Sequence, residues 1–211
     1  MRLPPLYAVV DAEACGRAGR DPLGVADAFL QAGARLLQVR AKRATGGELF
    51  HLTSSVLTLA AGGATVIVND RADVARLAGA AGVHVGQDDL AVADVRRILD
   101  AGSLVGLSTH TAEQVDAALE QAVSYIAVGP VFGTRTKETG YGPVGLALVE
   151  EAAARASRRG VPVVAIGGIT LGRAPDVLAA GASSVCVISD LLDGDPAARV
   201  RAYLTALTPP R

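Results

Sequence analysis

Tryptophan is absent from the 211 residues, and three Phe and four Tyr supply all the aromatic rings. No basic run compensates, so the chain lacks both the stacking platforms and the cationic tract that nucleic-acid binding uses. Charge of either sign is modest and nearly balanced, 20 Lys and Arg against 21 Asp and Glu, which indicates no strongly charged partner. The two cysteines, Cys15 and Cys186, form no spaced framework, and neither stands at ligand spacing from the three histidines. A zinc site is therefore not expected, and a reduced, cytoplasmic setting is. No window reaches the roughly 18 apolar residues of a membrane span. The N-terminal MRLPPLYAVVD has no long apolar core leading to a small-residue cleavage site, so no targeting segment is expected either.

What is present is a repeated phrase. Short runs rich in Val, Ile and Leu recur at 6–10, 35–39, 65–69, 82–86, 104–108, 125–129, 161–167 and 184–189. Between most of them lie longer segments of helical period, such as PLGVADAFLQAG and TAEQVDAALEQA, several ending on a glycine suited to a helix C-terminus. Continuous apolar strands alternating with amphipathic helices imply a parallel sheet covered by helices. Eight such units without a linker or composition break predict a single α/β domain, a (β/α)8 TIM barrel over residues 1–211. An open doubly wound sheet is the other candidate, but no Gly-x-Gly-x-x-Gly follows the first strand.

In such a barrel, chemistry collects where strands run out toward the following helix. Gln38, Arg40 and Lys42 alternate after the second strand, so they share one side of an extended segment and present two cations to an anion; a solvated strand end is the plainer reading. Asp70 and Asp89 close two neighbouring units, where two carboxylates with a substrate phosphate would hold Mg²⁺ and where either would also serve as a helix cap. Spacing does not separate Asp89 from Asp88. Gly167-Gly168 and Ile188-Ser189 end the last two strands, the usual phosphate position of such barrels, although paired glycines also mark ligand-free turns. His51 reads as a surface or packing residue, His84 as a structural one within its strand, and His110 as a rim residue or the cap of the helix after strand five. No nucleophile elbow or Ser-His-Asp order occurs, so Ser108 reads as a hydrogen-bond donor.

One segment fits neither helix nor strand: GPVFGTRTKETGYGP, 129–143, longer than the usual two to six residues of such connections. It follows strand six on the same rim, and its threonines and cations suit it to cover phosphorylated ligands.

Taken in order, QVRAK, VNDRADVA, GVHVGQDDL, GLSTH, YIAVGPVFGTRTK, AIGGIT and SVCVIS resemble the thiamine phosphate synthase family across essentially the whole chain. The resemblance implies a barrel that condenses 4-amino-2-methyl-5-(diphosphooxymethyl)pyrimidine with 4-methyl-5-(2-phosphooxyethyl)thiazole and releases pyrophosphate. By motif, Gln38, Val39, Arg40, Ala41, Lys42, Asn69, Ser108 and Lys137 would meet the pyrimidine diphosphate. Thr134, Arg135, Thr136, Gly168, Ile188 and Ser189 would meet the thiazole phosphate, with Mg²⁺ on Asp70 and Asp89. Arg40, Lys42, Lys137 and Ser108 would carry catalysis, and the partners would be small phosphorylated molecules. Ala41 departs from the family, whose members often carry an acidic residue there. A thiazole tautomerase with His110 as base, and a non-catalytic phosphate-binding barrel, are the competing readings. Oligomeric state is not readable, and a homo-oligomer stays open.

Overall fold

The computed structural model describes residues 2–133 and 140–208. Along them run β1 (Leu6–Asp11), α1 (Ala12–Arg17), α2 (Pro22–Gln31), β2 (Leu36–Arg40), α3 (Gly46–Ala60), β3 (Thr65–Asn69), α4 (Ala72–Ala78) and β4 (Gly82–Val85). There follow α5 (Val92–Ile98), β5 (Leu104–Thr109), α6 (Ala112–Leu119), β6 (Tyr125–Val128), α7 (Gly145–Ser157), β7 (Val163–Ile166), α8 (Ala174–Ala179) and β8 (Ser184–Val187). A 3₁₀ turn, Ser189–Leu192, and α9 (Pro196–Ala206) complete the order.

Local sequence explains many of the helix starts. Asp11, Asp21, Thr111 and Asp195 each accept from a backbone N–H of the turn they precede, with Pro22 and Pro196 set at the first helical position. Thr45 and Glu48 form a reciprocal capping box on α3. The short α1 was not predicted: six residues containing Gly16 offer too little periodicity to read.

The eight strands pair in chain order, all parallel, and β8 closes on β1. The barrel expected from the sequence is thus the one observed. Strand boundaries shift slightly; the second starts at Leu36 and includes Arg40, and the seventh is confined between Pro162 and Gly167. Gly82 belongs where it is because a Cβ there would stand 2.0 Å from the Leu104 carbonyl oxygen of the neighbouring strand. Among the described residues, no helix is long and apolar enough to cross a membrane.

Register decides what faces inward. Following the partners from Tyr7 through Gln38, Asn69, His84, Gly106, Tyr125 and Ile166 to Cys186, and back to Tyr7, keeps one alternation phase around the whole barrel. That interior face carries buried Asp11, Gln38, Arg40, Asn69 and His84. The opposite phase, Val39, Val68, Val83, Val105 and Val185 among others, packs under the helices and forms the apolar core. Burying so many polar groups inside is tolerated only when they are paired.

Candidate active site

Asp70 follows β3 in the left-handed conformation, φ +62°, with its backbone N–H donated to the His84 carbonyl at 2.8 Å. Asp is among the few side chains that accept this geometry readily. The turn carries the carboxylate to Lys42, whose Nζ lies 2.6 Å from Asp70 Oδ2, and against the carboxylate of Asp89. Asp89 is held in turn by the Gly86 N–H, 2.7 Å from its Oδ2. Neither aspartate caps a helix: Arg71 and Ala91 occupy those positions before α4 and α5, without side-chain caps. Asp88 is exposed while Asp89 is half-buried at the pair, so geometry makes the choice that spacing left open.

Two adjacent carboxylates do not ionise independently. Burial first, then the proximity of Asp89, raises Asp70 above the usual carboxylate range against the pull of Lys42. Burial also acts against ionised Asp89, yet the Gly86 N–H, Asp70 and the Lys42 charge together hold it below that range. The pair is an unbalanced concentration of hard anionic oxygens, the donor type that Mg²⁺ takes. Among the described residues no third His, Cys, Asp or Glu joins it.

The cations of β2 separate. Arg40 is buried against Asp11, to which its Nη1 donates, with Glu13 Oε2 at 3.8 Å from the same nitrogen; Lys42 reaches out half-exposed. Gln38 points into the barrel, whereas Val39 is fully buried on the outer phase and offers an inner ligand only its backbone. Ala41 is buried just beyond the strand, and Asn69 lies on the inner phase opposite His84. Ser108 Oγ is 2.9 Å from His84 Nε2.

On the other side of the mouth, Gly167 and Gly168 both take positive φ. A Cβ on Gly168 would stand 2.4 Å from the Gly133 carbonyl oxygen, and one on Gly167 2.5 Å from Pro130 Cβ, so the turns after β6 and β7 touch because these residues are glycine. Among the described residues nothing accepts from the backbone N–H of Gly168 or Ile169. These donors, with Ile188 and Ser189 at the head of the 3₁₀ turn, border a pocket of about 460 Å³ that Ser108 also lines. Such a cradle suits a phosphate. Asp190 ties its two walls together, accepting from the Leu171 N–H at 3.2 Å, Arg199 at 2.8 Å and the Tyr203 hydroxyl. Thr134, Arg135, Thr136 and Lys137, expected at this mouth, lie outside the described residues.

Several residues of the site were not anticipated. Asp11 was passed over at the end of the first strand, although an acid closing an apolar run was the available signal. Tyr7 and Tyr125, buried and with their hydroxyls 3.1 Å apart, left no signal beyond their residue type. Arg173 enters the pocket from the turn before α8, its guanidinium 4.6 Å from the Phe132 ring centroid and its Nη1 3.4 Å from the Gly168 carbonyl. His110 does not cap α6, a task taken by Thr111; its Nδ1 pairs with the Gly129 carbonyl and its ring stacks on Tyr141 at 4.1 Å.

The chain is similar to known proteins along nearly its whole length. Residues 6–191 match the thiamine monophosphate synthase family. A thiamine-phosphate synthase of Anaeromyxobacter dehalogenans is 44% identical over 209 residues, covering 97% of this chain and 90% of the relative. One from Methanoculleus marisnigri is 40% identical, covering 93% and 92%. In three dimensions the chain superposes on thiamine phosphate pyrophosphorylase from Pyrococcus furiosus with a TM-score of 0.85 at 26% identity, over 96% of this chain and 94% of that one. With a likeness that runs along nearly its whole length, the chain belongs to the thiamine monophosphate synthase family of transferases.

Proposed function

We propose that the chain condenses the pyrimidine diphosphate with the thiazole phosphate to give thiamine phosphate and pyrophosphate. The observation that carries the reading is the Asp70 and Asp89 pair held against Lys42, facing the pocket of Gly168 and Ser189 across the barrel mouth. A diphosphate leaving group needs positive charge at one end of the site, and a second phosphorylated substrate needs a donor cradle at the other. When bound, Mg²⁺ on Asp70 and Asp89 would supply charge to stabilise departing pyrophosphate.

The chain's own residues have clear tasks in this scheme. Lys42, and Lys137 by its place in the motif, neutralise the diphosphate; Arg40, fixed by Asp11, adds field at the end of β2. The bond from the pyrimidine methylene carbon to the diphosphate oxygen breaks, both electrons leave with pyrophosphate, and a pyrimidine carbocation results. The thiazole nitrogen then donates its lone pair to that carbon. No protein nucleophile is required. What the protein must supply is alignment, with the thiazole anchored by its phosphate on the Gly168, Ile188 and Ser189 side, and exclusion of water from the cation. A proton-shifting isomerase on this barrel would need a base, and His110 is committed to the Gly129 carbonyl and to Tyr141.

The test is direct. Purified protein, both substrates and Mg²⁺ should yield thiamine phosphate by mass spectrometry, and its absence would sink the proposal. Product formed at an undiminished rate after complete metal chelation would remove only the Mg²⁺ part.

A further inference from the structure

The family motif assigns Gln38 and Ser108 to substrate, but gives no task to Tyr7, Tyr125 and His84, which link the two. Gln38 Nε2 donates to the Tyr7 hydroxyl at 2.9 Å, and the Tyr7 and Tyr125 hydroxyls lie 3.1 Å apart. The Tyr125 hydroxyl is 3.1 Å from His84 Nδ1, and His84 Nε2 is 2.9 Å from Ser108 Oγ. Five residues from five strands thus form one unbroken chain across the barrel interior, ending at the pocket. Space is reserved for it: a Cβ on Gly106 would stand 2.4 Å from the Tyr125 hydroxyl and 2.5 Å from His84 Nδ1. The His84 and Tyr125 rings stack within 19° of parallel, which fixes the middle link.

Each tyrosine hydroxyl is buried with one proton to place and has no further partner among the described residues, so donation from Gln38 runs the links one way. The Gln38 amide nitrogen can only donate. Tyr7 accepts there and sends its own proton to Tyr125, and Tyr125 sends its proton to His84 Nδ1. His84 must then carry its proton on Nε2 and donate it to Ser108. Having accepted, the Ser108 oxygen turns its own proton toward the pocket. The reverse direction, ending on Gln38 Oε1, would leave Ser108 with only lone pairs to offer. Phosphate oxygens are acceptors, so a serine bonds them only by donating.

We propose that Gln38, Tyr7, Tyr125 and His84 are positioning residues that fix Ser108 as a hydrogen-bond donor toward a substrate oxygen, with His84 carrying a proton on Nε2. The identity of that oxygen, on the diphosphate, rests on the condensation reading; the direction of the chain does not. Catalytically the chain moves no proton. It removes the alternative orientation of one hydroxyl before substrate arrives.

Two measurements test this. Histidine ¹⁵N spectra of the protein, with His84→Gln for assignment, should show His84 protonated on Nε2; a neutral ring protonated on Nδ1 would overturn the proposal. In the condensation assay, Tyr125→Phe should lower kcat about tenfold, the scale of one hydrogen bond lost in the transition state. Made in a Ser108→Ala background, the same substitution should change kcat less than about twofold, because the chain acts only through that hydroxyl. Equal losses in the two backgrounds would show a structural role and defeat the proposal. Should Tyr125→Phe not fold, Tyr7→Phe breaks the chain one link earlier and carries the same comparison. A wild-type protein that makes no thiamine phosphate would defeat the functional reading, while the tautomer measurement would still decide this one.

Discussion

Lys42 Nζ sits 2.6 Å from Asp70 Oδ2, and Asp70 still holds its proton more tightly than an ordinary carboxylate. One partly exposed ammonium does not offset burial and the neighbouring Asp89. A raised folded-state value means that stability from protonated Asp70 is present below the ordinary carboxylate range and is lost as pH rises through the raised value. Asp70→Asn is neutral throughout and keeps a residue that tolerates φ +62°. In chelator, the variant should therefore gain thermal stability relative to wild type between acid and neutral pH. Added Mg²⁺ should raise the melting temperature of wild type and not of the variant. Equal Mg²⁺ shifts in both proteins would count against the carboxylate pair as the metal site.

Arg40 gives a different expectation. Its partner Asp11 is 1% exposed and also caps α1 through the Ala14 N–H, so truncation at Arg40 strands a buried carboxylate. Arg40→Ala should cost about 3 kcal/mol in urea unfolding, the scale found when one partner of a buried ion pair is removed. A change under about 1 kcal/mol, nearer the value of a surface pair, would mean that Asp11 finds another partner or is hydrated.

The fold was legible because each strand of a covered parallel barrel is buried on both faces and reads as a continuous apolar run. The same property hid the site's interior. With no alternation of polar and apolar residues along a run such as YIAV, nothing in sequence says that Tyr125 turns inward and Ile126 outward. His84 reads as merely structural for this reason, and Tyr7 gives no signal. Polar residues beyond the strand ends were easier, since Lys42, Asp70, Asp89 and Gly168 interrupt the runs. What spacing lacked was conformation: only the left-handed turn at Asp70 and the Gly86 contact of Asp89 distinguish a carboxylate pair from two helix caps.

Arg173 is the only Lys or Arg lining the pocket among the described residues, and none of those residues forms a salt bridge with it; Arg199 is occupied by Asp190. Its contacts, the Phe132 face and a long bond to the Gly168 carbonyl, leave most of its donors for a phosphate. Arg173→Ala should raise KM for the thiazole phosphate about tenfold and leave KM for the pyrimidine diphosphate unchanged, a charge-assisted hydrogen bond being of that size. Arg173→Lys should recover part of the loss. Equal effects on both substrates would place Arg173 outside the phosphate cradle.

Gly168 and Gly172 lie four residues apart after β7, yet substitution should affect them very differently. At Gly168 an alanine meets the Gly133 carbonyl oxygen at 2.4 Å and Phe132 atoms at 2.9 Å while adopting φ +62°; at Gly172 no atom lies within 4 Å and φ is not positive. Gly168→Ala should lose about 1–3 kcal/mol of stability from backbone strain. It should also weaken thiazole phosphate binding at least tenfold, since the turns after β6 and β7 must part to admit the methyl group and the donors of the cradle move with them. Gly172→Ala should match wild type in binding and melt no lower, because an alanine at a compatible backbone restricts the unfolded chain. Isothermal titration with the thiazole phosphate, alongside urea unfolding, separates the two effects. If both variants bind as wild type does, the phosphate does not rest on the Gly168 turn; if Gly168→Ala alone loses binding while unfolding unchanged, close approach to ligand rather than strain is what requires glycine there.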